Sequence, residues 1–274
     1  MSTPYLQYTP ENPDEKGSVT IIIGGQPYTL TDDSPMYEDA LGSVKSGVAD
    51  DELLALFQPV AVVGERLTGL SERITTDGAN IFFDGDAVDA GIARHILRIM
   101  SREGRGKPDA YMPVVRFLDK LYQNPSLRSR QQLYQFLRRF DFTITADGDF
   151  IAYKGVRRDF TSIHAGPGIV DLHPMRGHLP NRPGSVLQVS RSYVNNNPHH
   201  GCSTGLHVGT FSYARGFSQG GLVTCVVNPR DVVSVPIDAG WQKVRVSRYR
   251  VLEAIECEYV FPVYDEDDEE EEAA

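Results

Sequence analysis

The chain has 274 residues, 41% hydrophobic and 23% charged, enough apolar material for one large core or two ordinary ones. Its formal net charge is −10, but the acidic run 265–272 carries most of that; the remainder holds 27 basic against 29 acidic residues, so bulk charge does not mark a nucleic-acid binder. Three widely spaced cysteines, Cys202, Cys225 and Cys257, argue against a disulfide scaffold and fit a reducing compartment, and no apolar run nears the ~20 residues that span a bilayer.

The N-terminal residues 1–17 are polar, with no basic and then apolar leader, and read as a disordered lead rather than a signal peptide. Ser18–Ile23 reads as a strand, Gly24-Gly25 as its turn and Tyr28–Thr31 as the returning strand. Asp32, Asp33 and Ser34 offer N-caps for a helix over Met36–Lys45, and a second helix starts near Asp50 and ends before Pro59. Ile81–Phe83 with Asp84-Gly85 is a short strand and turn. Asp86–Glu103 then has Val88, Ile92, Ile96 and Ile99 at helical spacing.

The Gly- and Pro-containing stretch 104–108 is the interior linker candidate. A helix over Tyr111–Tyr122 follows, then Asn124-Pro125-Ser126 as stop and cap, then a helix from Leu127 to Phe140 with Leu133, Phe136, Leu137 and Phe140 on one face. Phe142–Thr145 and Phe150–Val156 alternate around Asp147-Gly148 and predict a hairpin. Beyond it come short strands at 185–189, 222–228, 232–236, 242–247 and 249–254, with a short helix at 212–217. Dense like charge predicts disorder for the tail, 264–274. These elements give an α+β fold: an N-terminal α/β part (18–103), a helical middle (108–140), and a β-rich C-terminal half (141–263) built around the central hairpin.

Six of the seven histidines fall between His164 and His207, with Cys202 among them. His199, His200, Cys202 and His207 carry zinc-preferring donors, but their spacing matches no known zinc pattern, and polar loop histidines are the plainer reading. No metal and no cofactor is therefore expected. Cys202 and His207 could form a nucleophile and base, since an imidazolium lowers a thiol's pKa; the plainer reading is a small buried residue in a Gly-rich turn. Lys154 alternates with apolar residues, which suits an inward lysine or a solvent-facing one with its stem on the sheet. Lys154, Arg157 and Arg158 are candidate anion contacts. Residues 98–158 hold 13 basic against 6 acidic residues, which suits a phosphate, lipid or nucleic-acid surface, or simply a solvated helix face. Motifs of P-loop, Rossmann and nucleophile-elbow type are absent. The stretch Gly205-Leu206-His207-Val208-Gly209-Thr210, with His164 upstream, is faintly similar to ADP-ribosyltransferase-like folds. An enzyme or nucleotide-binding alternative would use Lys154, His164, Cys202 and His207, which must then converge on one pocket.

Several phrases, taken in order, carry a second resemblance. They are Phe117-Leu118 with Leu121 and Asn124-Pro125-Ser126; Leu133-Tyr134 with Phe136-Leu137; Ile144-Thr145, Asp147-Gly148 and Ala152-Tyr153-Lys154; Cys202-Ser203 with Gly205-Leu206-His207; and Asn228-Pro229 with Asp231 to Pro236. In this order the chain resembles the rIIB-like proteins of tailed phages, the family of protectors from prophage-induced early lysis. The resemblance covers most of 18–252 and departs at 166–200 and in the tail. It implies a non-enzymatic accessory protein acting with a larger rIIA-like partner in the host bacterial cytoplasm, peripherally at the inner membrane. Its implied effects are protection against prophage or host exclusion and an influence on lysis timing; it assigns no catalytic residue.

Overall fold

The computed structural model describes residues 3–12, 15–34, 36–58, 64, 67–77, 80–88, 112–140 and 142–255. The expected linker, the acidic tail and most of the expected helix over 86–103 lie outside these residues.

The chain opens with a three-stranded antiparallel sheet, β1 (Tyr5–Tyr8), β2 (Ser18–Ile23) and β3 (Gln26–Thr31), in that order. Gly24 and Gly25 at φ 59° and 79° make the tight β2–β3 turn, where a side chain at both positions would be strained. Strand β1 corrects the expectation of a disordered lead. All four of its residues are exposed, so it is held by backbone pairing from Tyr5↔Ile21 to Tyr8↔Ser18, and burial leaves no apolar signature for sequence to show. Helices α1 (Tyr37–Lys45) and α2 (Asp50–Phe57) follow. Helix α1 starts without a side-chain cap at Met36, and Ser34 Oγ accepts from the Met36 N–H at 3.3 Å. Val19, Ile21, Leu30, Ala40, Leu41, Val44, Leu53 and Phe57 bury one face of β2, β3, α1 and α2 in a first core.

A second three-stranded sheet joins β4 (Ile74–Thr76), β5 (Ile81–Phe83) and β6 (Asp86–Ala87). Residues 86–87, expected to begin a helix, are thus the third strand. Asp84 and Gly85 at φ 51° and 83° turn the chain straight back onto β5. Helices α3 (Met112–Tyr122) and α4 (Leu127–Arg139) bracket the Asn-Pro-Ser turn. Ser126 caps α4, its hydroxyl accepting from the Ser129 N–H at 3.1 Å.

The C-terminal half is one nine-stranded antiparallel sheet. Its strands are β7 (Phe150–Arg157), β8 (Gly166–Val170), β9 (His173–Gly177), β10 (Val186–Gln188), β11 (Leu206–Gly209), β12 (Gly220–Val227), β13 (Val232–Ser234), β14 (Lys243–Val246) and β15 (Arg248–Ile255). They lie in the order β13-β14-β11-β7-β12-β15-β10-β8-β9. The middle strand, β12, is buried from Leu222 to Val227 and runs beside β7 from Gly220↔Arg157 to Val227↔Phe150. A short helix, α5 (Phe211–Phe217), is capped by Thr210, whose hydroxyl accepts from the Tyr213 N–H at 3.3 Å.

The predicted central hairpin forms as a short pairing at the start of β7, and β7 then continues into this sheet. The turn forms, with the Gly148 N–H donating to the Thr145 carbonyl at 2.8 Å; around the Ile144↔Phe150 bridge the Thr145 N–H donates to the Asp149 carbonyl at 2.8 Å and the Ile151 N–H to the Thr143 carbonyl at 2.9 Å. A Cβ on Gly148 would lie 2.4 Å from the Phe117 N, so the turn is pressed onto α3, and Phe142 leaves β7 to pack on Phe117. Strand β7 also takes β12 and β11 as neighbours.

Helices and sheet are joined by side-chain amides and hydroxyls. Asn124 Nδ2 donates to the Pro229 and Val232 carbonyls at 3.0 and 2.8 Å, and Ser129 Oγ to the Val233 carbonyl at 2.7 Å. Gln132 Oε1 accepts from the Val235 N–H at 2.9 Å. One continuous second core then runs from Leu67 through α3 and α4 to Val251. Among the described residues no helix is long and apolar enough to cross a membrane.

Candidate functional site

Strands β7 and β11 are hydrogen-bonded neighbours only at Gly209↔Tyr153. Beyond that pair they separate, and a cavity of about 520 Å³ lies in the gap. Strand β7 supplies Tyr153 and Lys154, the 162–167 loop supplies His164, and the 201–205 turn supplies Cys202. Strand β11 contributes His207, α5 contributes Tyr213 and Phe217, and Lys243 and Tyr249 come from β14 and β15. Lys154, His164, Cys202 and His207, the four residues of the enzyme alternative, therefore do converge on one cavity.

Glycines set its shape. A Cβ at Gly155 would lie 2.5 Å from the Ala214 carbonyl oxygen, and one at Gly209 2.4 Å from that of Gln242, so bare backbone lets α5 lie close on the strands.

Lys154 bridges the gap. Its ammonium donates to the His207 carbonyl at 2.9 Å, an acceptor that a continuous β7–β11 ladder would have used, and sits 5.7 Å from the Tyr249 ring centroid. Burial holds its pKa below the usual lysine value, against a weak opposing pull from Cys225. Among the described residues no carboxylate pairs with it.

His207 is a neutral imidazole. Burial, and then the charges of Lys154, Arg245 and Lys243, push its pKa down to about 3. Its Nε2 accepts from Arg245 Nε at 3.3 Å, which places the ring proton on Nδ1, and the ring also bonds the Gly205 backbone. A base for Cys202 would need a free lone pair, and a thiolate partner would need an imidazolium; His207 offers neither. Cys202 is exposed at the rim, whereas Cys225 is buried, its thiol pushed up to about 12 by that burial.

Two residues that sequence reading missed organise the site. Arg245, fully buried, donates to the carbonyls of Asn195 (3.2 Å), Asn197 (3.0 Å) and Gly201 (3.0 Å) and to that of His200. Lys243 donates to the Gly201 carbonyl and to Asp238 Oδ2, each at 2.8 Å. Both alternate with Val244 and Val246, which reads as the wet face of a strand; the signal that could have exposed them was the uncovered run of backbone in 195–201, which needs donors.

The other candidates stand elsewhere. Arg157 and Arg158, named with Lys154 as anion contacts, do not line the cavity: Arg157 Nη2 donates to the Ile163 carbonyl at 3.3 Å, and Arg158 is exposed. His199 and His200 are exposed, and His200 Nδ1 lies 3.2 Å from Asn195 Nδ2. Among the described residues, no three His, Cys, Asp or Glu donors come together in a group that could hold a metal ion, and cations crowd His207. The basic surplus of 98–158 is partly spent internally. Lys120 pairs with Asp149 at 2.6 Å, Arg116 donates to the Ala146 carbonyl at 2.7 Å, and Arg139 lies 4.6 Å from the Trp241 ring centroid.

A family model described as Bacteriophage T4 protein rIIB matches residues 10–262. Protein rIIB of Enterobacteria phage T4 is 30% identical over 242 residues, covering 88% of this chain and 72% of that protein. No solved structure matches.

Proposed function

The chain belongs to the bacteriophage T4 rIIB family, and from that premise we propose that it is a phage accessory protein with no reaction of its own. In this reading it acts with a larger rIIA-like phage protein in the host bacterial cytoplasm, peripherally at the inner membrane. It protects infection against prophage or host exclusion and influences the timing of lysis.

The observation that carries the reading is the reach of the family match, since residues 10–262 take in both apolar cores rather than one shared module. The surface of the first sheet supports it. Leu6, Tyr8 and Ile22 share the face turned away from the first core, and Leu6 is 70% exposed. An apolar stripe of that kind suits a protein partner.

The test is recovery of the tagged protein from infected cells at moderate salt. The expected result is one large phage-encoded partner in near-stoichiometric amount, lost when Leu6→Asp and Ile22→Asp are combined. A deletion phage should plate normally on a host without a prophage and poorly on one carrying an exclusion system. Absence of a partner together with unchanged plating on both hosts would overturn the reading.

A further inference from the structure

We propose that the cavity between β7 and β11 is a binding site for a small organic anion that carries a flat ring, with the anionic group held at Lys154. This goes beyond the accessory function and does not depend on it.

Charge is the first argument. Lys154, Lys243 and Arg245 surround His207, and Asp238, which pairs with Lys243 and also acts on Arg245, is one carboxylate against these three cations. The Lys154 ammonium has one carbonyl as its hydrogen-bond partner and borders open volume. A cation taken out of water is costly unless a negative group meets it, and a low-dielectric cavity with surplus positive charge draws anions in. The second cationic side chain on the wall, Lys243, is held in place by Gly201 and Asp238, so the site is positioned before a ligand arrives.

Shape is the second. A volume of about 520 Å³ lies inside the range of small-molecule sites and is far too small for a duplex or a folded chain. One wall is aromatic. The Tyr213 and Phe217 rings are nearly parallel, 9° apart with centroids at 6.0 Å, and His164 lies 5.9 Å from Phe217. Phe217 is 46% exposed, unusual for a phenylalanine on a helix packed against a sheet. Flat apolar surfaces facing a cavity favour a flat ring, and the ammonium places the charge at its other end.

The chemistry is that of an aromatic or heteroaromatic ring bearing phosphate or carboxylate, and the experiment separates these two sources. The full chain is melted alone and with the four nucleoside monophosphates, with 4-hydroxybenzoate, and with inorganic phosphate. At a ligand concentration ~100 times Kd the melting temperature should rise by roughly 5–10 °C. A rise with the nucleotides assigns phosphate, and a rise with the benzoate assigns carboxylate; inorganic phosphate should give much less than either. Lys154→Met should melt no lower than the wild type without ligand, because it removes an uncompensated charge, and should lose the ligand's rise. Should Lys154→Met fail to fold, Tyr213→Leu serves: it should fold and lose at least half of the rise. No rise with any organic probe, or a rise that survives in the variants that fold, would overturn the site. An equal rise with inorganic phosphate would overturn the ring.

Discussion

Replacing Arg245 by methionine tests whether one buried guanidinium organises the rim of the cavity. Methionine keeps the apolar stem but ends short of the guanidinium nitrogens, so the stem's packing is largely retained and every donor is lost. Four carbonyls, those of Asn195, Asn197, His200 and Gly201, lose a donor, although Gly201 keeps Lys243 at 2.8 Å and Asn197 keeps the His200 N–H at 3.3 Å. A buried acceptor left unsatisfied costs about 1–3 kcal/mol. The low end applies, because His200 is exposed and Asn195 and Asn197 only half-buried, so water reaches part of the loop. Relief from burying the guanidinium offsets some of the loss. The net expectation is a destabilisation of roughly 2–4 kcal/mol, or roughly 4–16 °C in melting temperature for a domain of this size. Urea unfolding gives the free energy, and hydrogen exchange gives the place, with amides of 195–204 losing protection while those of β12 do not. Arg245→Lys keeps the charge without the fork and should fall between. A loss under about 1 kcal/mol with unchanged exchange in 195–204 would refute the reasoning.

The pH dependence follows from His207. Its folded pKa of about 3 lies below the ordinary value of 6.5, so the unfolded chain takes the proton first as pH falls. Its contribution is complete above about pH 6.5 and declines toward pH 3, by at most ~1.4 kcal/mol per pH unit. His207→Gln should flatten the fall in stability between pH 7 and 5, and an unchanged slope in urea titrations would contradict this. Gly148→Ala meets a φ of 80° and the Phe117 backbone at 2.4 Å, and should cost roughly 2–4 kcal/mol. Gly42→Ala, in helix α1 with nothing within 4 Å, should instead stabilise by about 0.5–1 kcal/mol in the same denaturation assay. Iodoacetamide at pH 8 followed by peptide mapping should label Cys202 in the native protein and Cys225 only after denaturation, and native labelling of Cys225 would refute its burial.

Sequence reading placed the elements whose burial has a period. Helix α4 is legible because Leu133, Phe136 and Leu137 repeat at helical spacing and Ser126 caps it. Strand β12 is legible because Leu222 to Val227 is a continuous apolar run. What stayed hidden was made by backbone alone or by distant neighbours. Strand β1 buries nothing. The order of the large sheet sets β7 beside β12 and β11, neighbours that the local Asp147-Gly148 hairpin does not specify, while α3 claims the Gly148 turn. Those neighbours are set by tertiary contacts that no short window contains. The Asn124-Pro125-Ser126 phrase likewise reads as stop and cap, yet Asn124 is the clamp that ties the helices to Pro229 and Val232.

The cavity shows how far chemistry-bearing residues can be trusted when their partners are unknown. Lys154, His164, Cys202 and His207 do meet, as an enzyme would require, but meeting is not reactivity. The phrase from Cys202 to Thr210 is filled by structural tasks: Gly205 at φ 130° sits against Val194, Gly209 passes the Gln242 carbonyl, and Thr210 caps α5. His207 supplies the carbonyl that holds Lys154 and the nitrogen that receives Arg245. With its lone pair engaged and three cations around it, this histidine can neither take a proton from Cys202 nor hold one near neutral pH. The same cations that disqualify a base suit an anion. Arg245 and Lys243 decide between the two readings, and both looked like the solvent face of an alternating strand. Residue type therefore located the site, while the charge of residues hidden in a regular pattern determined what kind of site it is.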